Sequence, residues 1–327
     1  MALAQIIGTG SYAPAQVITN KDLEKIVDTS DEWITERTGI KERRKAAPGE
    51  ATSDMAVAAA REALAMSGTR PEQVDLIVVG TITPDMPMPS CAAFVQAKLG
   101  AVNAFAFDVA AACAGAIYAL SVAEQFIRTG KVKRALVIGA DLFTQIVNWA
   151  DRNTCVLFGD GAGAMVVAPS EEPERGILST HLRTDGSLAD ILAIPGGGSK
   201  EPATEENLRA QRNKVTMNGR EVFKCAVRAL TDITQEALSA HGLKASQVDH
   251  VIVHQANSRI LEAVMQRLEV PLEKCWINLD KYGNTSAASL PISLDEALRS
   301  GRIKRGDLVA MMAIGAGMTW GAALARW

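Results

Sequence analysis

The stretch QVDLIVVG at residues 73–80 recurs as QVDHVIVH at residues 247–254. Further along the chain, GKVKR at residues 130–134 recurs as GRIKR at residues 301–305. A chain whose two halves repeat the same pattern in the same order indicates a duplicated half-domain. We therefore expect two related halves that pack face to face about a pseudo-twofold axis.

Aliphatic runs bounded by Gly or Asp predict buried strands at residues 76–81, 104–109, 135–140, 251–253 and 308–314. Helical patterns with capping signals lie between these runs, for example from Thr52 to Gly68. Thr29 and Glu32 have the spacing of a capping box for a short helix that ends at Gly39. Strands therefore alternate with helices in both halves.

This alternation predicts an α/β protein with mostly parallel sheets that are covered on both faces. The helix that begins at Cys113 has almost no polar face, so we expect it to lie between two sheets. Two copies then stack in five layers, α/β/α/β/α, with the half-domains at residues 1–172 and 173–327. The Gly-rich, charged segment 195–213 is predicted to be a flexible loop.

The composition excludes several classes of protein. The chain has 327 residues, of which 48% are hydrophobic and 22% charged, and a net charge of -3, which argues against disorder and against nucleic-acid binding. The five cysteines form no CxxC pair, which fits a reducing compartment without disulfides or structural zinc. No charged leader precedes an apolar run, and no run approaches the roughly 20 residues that span a bilayer. We therefore expect a cytoplasmic protein that is not in the membrane.

Cys113 lies between the predicted strand that ends at Val109 and the start of a helix. The free N–H groups and the dipole of a helix N-terminus stabilise a thiolate, so this position predicts a nucleophile. By itself, a cysteine in an Ala-rich helix is more often an inert buried residue. The repeat favours the reactive interpretation, because the offset that relates Gly130 to Gly301 also carries Cys113 onto Asn284.

His254 ends a repeated strand, and Asn284 lies in the motif GNTS. Taken alone, the histidine fits a structural role and the asparagine fits a turn before a helix. His250 and His254 are four residues apart, but they flank a strand-like run, so we predict no metal site. Together, a thiolate and two neutral hydrogen-bond donors suit acyl transfer followed by stabilisation of an enolate.

These motifs resemble those of the β-ketoacyl-acyl-carrier-protein synthase III family, which are thiolase-like condensing enzymes. The resemblance extends from about Ile6 to Trp327 and rests on separate motifs in the family's order. The motifs are TSDEW at 29–33, DVAAACAG at 108–115, HQAN at 254–257, GNTSAAS at 283–289 and TWG at 319–321.

The resemblance implies a thiolase-like fold and a two-step reaction without a metal or redox cofactor. Cys113 would accept an acyl group from acyl-coenzyme A, while the backbone N–H groups of Cys113 and Ala316 hold the oxyanion. His254 and Asn284 would then stabilise the enolate that malonyl-acyl-carrier protein forms on losing carbon dioxide. That carbanion would attack the acyl-cysteine and so initiate fatty acid biosynthesis.

The same resemblance implies three further sets of residues. Coenzyme A would be bound by Thr29, Trp33, Arg37, Arg152, Gly219 and Asn257, with the adenine between Trp33 and Arg152. The acyl pocket would be formed by Met88, Phe143, Phe158, Leu192, Phe223 and Ile314, Met88 reaching across the interface of a homodimer. The acidic carrier protein would dock on Lys224, Arg259 and Arg267.

Departures from the family pattern bear on specificity. The family often has aromatic residues where this chain has Met88, Ala116 and Ile314. A flexible Met and smaller neighbours predict a roomier pocket that admits acyl chains longer than acetyl, or branched ones.

Other functions stay open at this point. A papain-like cysteine hydrolase also uses Cys, His and Asn, although a hydrolase has no use for a duplicated α/β chain. A specialised condensing enzyme for quinolones, polyketides or long-chain ketones is an alternative within the same superfamily. A non-catalytic acyl-binding or carrier-docking protein is a third. The sequence does not identify the primer acyl group or the pathway.

Overall fold

The structure is a computed structural model that describes residues 2–327. Its strands are β1 (Ala4–Tyr12), β2 (Gln16–Thr19), β3 (Glu42–Lys45), β4 (Leu76–Gly80), β5 (Phe105–Val109), β6 (Ala135–Asp141), β7 (Gly161–Pro169), β8 (Gly176–Thr184), β9 (Leu192–Ala193), β10 (Thr216–Met217), β11 (His250–Val253), β12 (Leu308–Gly315) and β13 (Thr319–Arg326). Its α-helices are α1 (Asn20–Leu23), α2 (Asp31–Thr38), α3 (Thr52–Ser67), α4 (Cys91–Leu99), α5 (Gly115–Arg128), α6 (Arg152–Cys155), α7 (Glu205–Arg209), α8 (Gly219–Ala240), α9 (Ser258–Leu268), α10 (Leu279–Tyr282) and α11 (Ser289–Arg299).

The two halves repeat one strand order, which confirms the predicted duplication. The order is β5-β4-β6-β7-β1 in the first half and β11-β12-β13-β8 in the second. A parallel bridge between Val251 and Cys275 lies where the second half would have its fifth strand. The half-sheets meet where Ala4 of β1 pairs with Ile177 of β8. The division of the chain at residue 172 stays a prediction.

The sheets are mixed, so the expectation of mostly parallel strands is wrong. β4 runs parallel to β5 and β6, and β11 runs parallel to β12. The pairs β1–β7, β6–β7, β12–β13 and β8–β13 are antiparallel. Parallel neighbours need a crossover of about a dozen residues or more, whereas a short turn at residues 316–318 joins β12 to β13 and forces them to be antiparallel.

Three hydrophobic clusters define the five layers. Helices α3 and α4 cover the outer face of the first half-sheet, and α8 and α9 cover the outer face of the second. Helices α5 and α11 lie between the two half-sheets, where Ile117 and Leu290 pack in one central cluster. The predicted burial of the helix after Cys113 is therefore confirmed. Within residues 2–327, no helix is both long enough and apolar enough to cross a membrane.

The correspondence of Cys113 with Asn284 is wrong, because the repeated helices differ in length. Both central helices follow a 3₁₀ turn whose first residue has a positive φ, 45° at Ala112 and 52° at Ser286. The offset from Gln73 to Gln247 also relates Ala112 to Ser286, so Cys113 corresponds to Ala287. Helix α5 has 14 residues and α11 has 11. The offset between the two halves is therefore smaller after these helices, at Gly130 and Gly301, than before them.

One local prediction also needs correction, and the predicted flexibility of segment 195–213 stays a prediction. The N-cap of α2 is Ser30, whose hydroxyl accepts from the Trp33 N–H, and the Thr29 hydroxyl is buried without a hydrogen-bond partner. Ser30 is the residue with extended backbone directly before the helix, so it replaces the predicted cap at Thr29. The segment 195–213 contains α7 and a two-bond ion pair from Arg212 to Glu201, which together give this loop internal structure.

Candidate active site

Cys113, His254 and Asn284 line one narrow, largely apolar cavity of about 120 Å³. Cys113 lies in the 3₁₀ turn before α5, His254 directly follows β11, and Asn284 lies between α10 and the 3₁₀ turn that precedes α11. The backbone holds these positions. The N–H of His254 donates to the Met312 carbonyl at 2.8 Å, and the N–H of Asn284 donates to the Leu157 carbonyl at 2.9 Å. The structure therefore brings the predicted trio together.

The Cys113 thiol is buried and accepts a hydrogen bond from the Ser286 hydroxyl at 3.2 Å. Burial raises the pKa of Cys113 to about 12, and the Coulombic effect of Asp141 also raises it, while the bonds from Ser286 and from the backbone N–H of Cys113 lower it. The expected thiolate is therefore wrong for the resting site. Desolvation of the charged sulfur outweighs the position at the helix tip.

Asp141 is a fully buried acidic residue near the nucleophile turn, which is the 3₁₀ turn Ala112–Ala114 that carries Cys113. It ends β6 and accepts hydrogen bonds from Thr81, Thr83 and the Ile82 N–H, and also from the Ala287 N–H of the second half. Burial raises the pKa of Asp141, and the hydrogen bonds from Ile82, Ser286, Thr83 and Ala287 oppose that rise. Asp141 therefore ties the turn that carries Ser286 to the first half-sheet.

The imidazole of His254 is buried, with its Nδ1 facing the Ser289 hydroxyl at 2.5 Å. Burial lowers the pKa of His254 to about 4, so the imidazole is neutral at pH 7. Its Nε2 has no hydrogen-bond partner within residues 2–327, although His254 lines the cavity. A neutral imidazole with one free ring nitrogen fits the predicted hydrogen-bonding role. His250, in contrast, bonds to Asp307 at 3.0 Å.

The orientation of the Asn284 carboxamide is set by its own turn. Its Oδ1 accepts the Ser286 N–H at 2.9 Å, so the opposite end of the amide is the NH₂ group. Across the part of the chain that the structure describes, this NH₂ group donates to no protein acceptor. Asn284 thus has a free donor on the cavity that His254 also lines.

The end of β12 lies against the nucleophile turn. A Cβ added to Gly315 would lie 2.5 Å from the backbone nitrogen of Cys113 and 2.9 Å from the Ala111 carbonyl oxygen. Ala316 follows directly, so its backbone N–H is carried close to that of Cys113. The assignment of these two N–H groups to an oxyanion hole stays a prediction, and the close approach of the two backbones supports it.

The predicted acyl-pocket residues divide into two groups. Phe158, Leu192, Phe223 and Ile314 line the cavity beside Cys113. Phe143 lies one layer behind, stacked on Phe158 with ring centroids 4.0 Å apart. Met88 is 83% exposed on the surface of the single chain and does not reach this cavity.

Ala116 does not enlarge the acyl pocket. It is buried on α5 with its methyl group toward Gly139 of β6, and it is not part of the cavity wall. Ile314 is therefore the one of the three smaller residues that borders this cavity within the single chain. The roomier pocket stays a hypothesis.

The predicted coenzyme A residues border a basic groove of about 1020 Å³ that opens beside the cavity. Trp33, Arg37, Arg152, Gly219 and Asn257 line it, whereas Thr29 does not. Gly219 and Asn257 line the inner cavity as well, so they connect the two spaces. The Arg152 guanidinium lies 4.7 Å from the Trp33 ring centroid and that of Arg37 lies 5.2 Å away. An adenine between Trp33 and Arg152 would have to separate them.

Two of the three basic residues predicted to dock a carrier protein border the groove. Lys224 and Arg259 line the groove, and Arg259 also donates to the Glu36 carbonyl at 3.3 Å. Arg267 is exposed in the last turn of α9 and is not part of the groove lining. The docking role stays a prediction for all three, with Lys224 and Arg259 at the entrance.

Sequence reasoning missed several residues of this site. The polar ones are Asp141, Ser286 and Ser289, and the apolar ones are Leu157, Met217, Val222, Ala226, Ala256, Ile260 and Met318. The two serines had a usable signal, since a spacing of three residues places their side chains on one side of a helical turn. Asp141 also had a usable signal, because it is an acidic residue at the end of an apolar strand.

Known proteins of similar sequence and structure identify the family. Models of 3-oxoacyl-[acyl-carrier-protein] synthase III match residues 107–186 and, for the C-terminal part, residues 238–327. The β-ketoacyl-[acyl-carrier-protein] synthase III of Caldanaerobacter subterraneus subsp. tengcongensis is 53% identical over 324 residues, 99% of this chain and 98% of that protein. The corresponding protein of Alkalilimnicola ehrlichii is 53% identical over the full length of both.

A solved structure agrees with this result. The 3-oxoacyl-[acyl-carrier-protein] synthase III of Aquifex aeolicus is 51% identical and superposes with a TM-score of 0.92, covering 99% of this chain and 100% of that one. The similarity extends over both halves of the duplicated fold. The chain therefore belongs to the β-ketoacyl-[acyl-carrier-protein] synthase III family of acyl-transferring condensing enzymes.

Proposed function

We propose that this enzyme joins an acyl-coenzyme A primer to malonyl-acyl-carrier protein and so begins the synthesis of a fatty acid chain. The observation that carries the proposal is the meeting of Cys113, His254 and Asn284 on one apolar cavity that opens beside a basic groove. The trio supplies a nucleophile and two neutral donors, and the groove supplies cations and an aromatic ring for a nucleotide.

In the first step, the sulfur of Cys113 attacks the acyl carbon of the thioester. The bond from that carbon to the sulfur of coenzyme A breaks, and the thiol proton ends on the departing coenzyme A. Because the resting thiol is protonated, charge develops on sulfur only as the thioester enters. The Ser286 hydroxyl, 3.2 Å from the sulfur, then stabilises this charge. The N–H groups of Cys113 and Ala316 would receive the carbonyl oxygen.

In the second step, malonyl-acyl-carrier protein loses carbon dioxide, and the electron pair of the broken bond forms an enolate. The enolate oxygen accepts hydrogen bonds from the free nitrogen sites of His254 and Asn284. The enolate carbon then attacks acyl-Cys113, the carbon–sulfur bond to Cys113 breaks, and solvent returns a proton to the thiolate. Each well-placed donor of this kind lowers the activation barrier by about 3–4 kcal/mol. This chemistry needs no metal or redox cofactor.

The nucleotide of coenzyme A, the carrier protein and the primer acyl group would each occupy a different region of the site. The adenine and phosphates of coenzyme A suit the groove of Trp33, Arg37 and Arg152, and the thiol arm would pass Gly219 and Asn257 to reach Cys113. Lys224 and Arg259 at the groove mouth suit an acidic carrier protein. The primer would lie against Phe158, Leu192, Phe223 and Ile314.

The working unit in this proposal is a homodimer. Strand β5 lies at an edge of the sheet, and apolar side chains are exposed beside it: Phe105 at 44%, Val102 at 71% and Met88 at 83%. An exposed edge strand with apolar residues is a template for pairing with a second copy. Such a dimer would also cover Met88. The five free cysteines are all buried, which supports a reducing, cytoplasmic setting.

The first test is to weigh the covalent adducts formed with a panel of acyl-coenzyme A thioesters. We expect one acyl group per chain on Cys113, and the acyl groups that react best identify the primer. Cys113→Ser should abolish the adduct, because an unactivated hydroxyl is a far weaker nucleophile than a thiol. Cys275→Ser, a change at another buried thiol, is the matched control and should leave the adduct intact.

A second measurement separates this function from hydrolysis. The acylated protein is mixed with malonyl-acyl-carrier protein, and release of carbon dioxide is followed together with the β-ketoacyl product. Formation of free acid from acyl-Cys113, with no β-ketoacyl product, would instead favour a cysteine hydrolase and would contradict the proposal.

A further inference from the structure

The imidazole of His254 has a buried neighbour that neither step above uses. The Ser289 Oγ lies 2.5 Å from His254 Nδ1, 3.0 Å from the Ser286 carbonyl oxygen and 3.3 Å from the Gln255 backbone nitrogen. All four residues are buried, so water does not compete for these bonds. One hydroxyl with a single proton therefore serves three polar partners.

The roles of two of these partners are fixed by their chemistry. The Gln255 N–H can only donate, and the Ser286 carbonyl can only accept. His254 Nδ1 is able to do either. If Ser289 donates to Ser286, then Nδ1 carries the histidine proton and Nε2 is a bare acceptor on the cavity side. If Ser289 donates to Nδ1, then Nε2 carries the proton and becomes a donor.

In the second arrangement, the buried Ser286 carbonyl keeps a hydrogen-bond partner. The Ser286 carbonyl also accepts the backbone N–H of Ser289, so it stays bonded when the hydroxyl turns to His254. The hydroxyl is also closer to Nδ1 than to that carbonyl, 2.5 Å against 3.0 Å. Nothing in the packing of this cluster therefore opposes a hydrogen bond from Ser289 to the imidazole.

We infer that Ser289 is a positioning residue that holds neutral His254 in the tautomer with its proton on Nε2. Ser289 does not touch the substrate; it acts through the imidazole. Its consequence for catalysis rests on the proposed function, because only a donor at Nε2 stabilises an enolate oxygen. Asn284 already presents an NH₂ group, so Ser289 would complete a pair of donors.

The test reads the tautomer directly. The chain has 4 histidines, so ¹⁵N-histidine labelling gives four pairs of ring nitrogens, and His254→Gln assigns the pair of interest. At neutral pH we expect His254 to show a protonated Nε2 and a bare Nδ1. Ser289→Ala should shift the population toward the proton on Nδ1, and Ser289→Thr, which keeps the hydroxyl, should retain the proton on Nε2.

The matched control is Ser293→Ala on the same helix, since the buried Ser293 hydroxyl bonds to Asn278 at 3.0 Å and not to His254. That variant should leave the His254 signals unchanged. A proton on Nδ1 in the unmodified protein, or an undiminished Nε2 proton in Ser289→Ala, would overturn the inference.

A kinetic comparison tests the consequence. Decarboxylation of malonyl-acyl-carrier protein should fall by about tenfold to a hundredfold in Ser289→Ala, whereas acylation of Cys113 should change by less than about threefold. Equal losses in both steps would indicate general disruption and would count against a role through His254. If the unmodified protein failed to decarboxylate the malonyl group at all, the proposed function would be wrong, and the tautomer result would still stand.

Discussion

The side chains proposed to react, Cys113 and His254, are buried in their uncharged forms. Burial raises the pKa of Cys113 to about 12 and lowers that of His254 to about 4. At pH 7 the resting pair is therefore a thiol and a neutral imidazole, not a thiolate–imidazolium pair. Neutral donors suit an enolate, since they stabilise charge when it appears and require no buried ion beforehand.

The depressed pKa of His254 predicts a loss of stability in acid. In the unfolded chain this histidine becomes protonated near its ordinary pKa of 6.5. In the folded protein it stays neutral until the pH falls to about 4. Lowering the pH from 6.5 to 4 therefore reduces the free energy of unfolding, and the loss reaches roughly 3 kcal/mol at pH 4. Denaturant unfolding at pH 7 and pH 4 should show this loss in the unmodified protein and a smaller one in His254→Gln.

His241 is the matched control because its side chain is exposed. His241→Gln should follow the unmodified protein across the whole pH range. If His254→Gln lost as much stability in acid as His241→Gln, the buried imidazole would not be the cause.

At the scale of elements, two short turns and the end of one strand place the site. The 3₁₀ turns before α5 and α11 carry Cys113 and Ser286, and the end of β12 packs on the first of them. Glycine residues allow these strands and turns to approach each other closely. A Cβ on Gly139 would meet the backbone of Ala287, just as one on Gly315 would meet that of Cys113. Small residues thus let the two halves bring backbone against backbone.

Gly315→Ala should displace the nucleophile turn. The added methyl would lie 2.5 Å from the Cys113 nitrogen, so β12 or the turn must move. We expect a loss of about 1–3 kcal/mol in unfolding free energy and a fall of about a hundredfold in acylation of Cys113. Denaturant unfolding and the rate of adduct formation measure the two effects.

Gly186→Ala is the control for the added methyl group, because no atom lies within 4 Å of a Cβ at that position. Gly186→Ala should change neither the free energy of unfolding nor the rate at which Cys113 is acylated. Full acylation activity in Gly315→Ala would show that the close approach of β12 is not needed to hold the nucleophile.

At the scale of the whole molecule, the duplication buries the site and leaves one edge open. The central helices α5 and α11 pack between the half-sheets, while β5 stays at the end of the strand order. Phe105 on this edge packs against Phe126 at 5.6 Å between ring centroids, and it is still 44% exposed. A second copy is the partner that such an edge fits best.

Phe105→Asp should weaken the proposed dimer. A charge on the apolar edge would be buried without a partner if two copies met there. We expect the unmodified protein to have about twice the chain mass of 34.7 kDa by light scattering, and the variant to shift toward a single chain. Leu272→Asp, a change at another exposed apolar residue in the second half, should stay dimeric.

An unmodified protein that runs as a single chain would contradict the dimer. So would a Phe105→Asp variant that keeps the mass of the unmodified protein. Neither outcome would bear on the chemistry of Cys113, because the cavity beside it is lined by residues of one chain.

Sequence alone determined most of the elements and predicted the reacting groups. Local pattern sufficed for this, since strands such as β4 and β12 are aliphatic runs and caps such as Gly68 lie at helix ends. The motifs around Cys113, His254 and Asn284 were enough to name the trio. The cap at Ser30 was missed because neighbouring Thr29 and Ser30 are both suitable caps, and only the backbone conformation distinguishes them.

Only the tertiary structure decided the environment of those groups. The state of the Cys113 thiol depends on burial and on Ser286, a residue far away in the sequence, and the hydrogen bonding of His254 depends on Ser289 in the same way. The repeated sequence offers two offsets for Cys113, and only the matching backbone of Ala112 and Ser286, both with positive φ, shows that its partner is Ala287. Desolvation and hydrogen bonding between distant segments exist only once the chain has folded, so no local pattern encodes them.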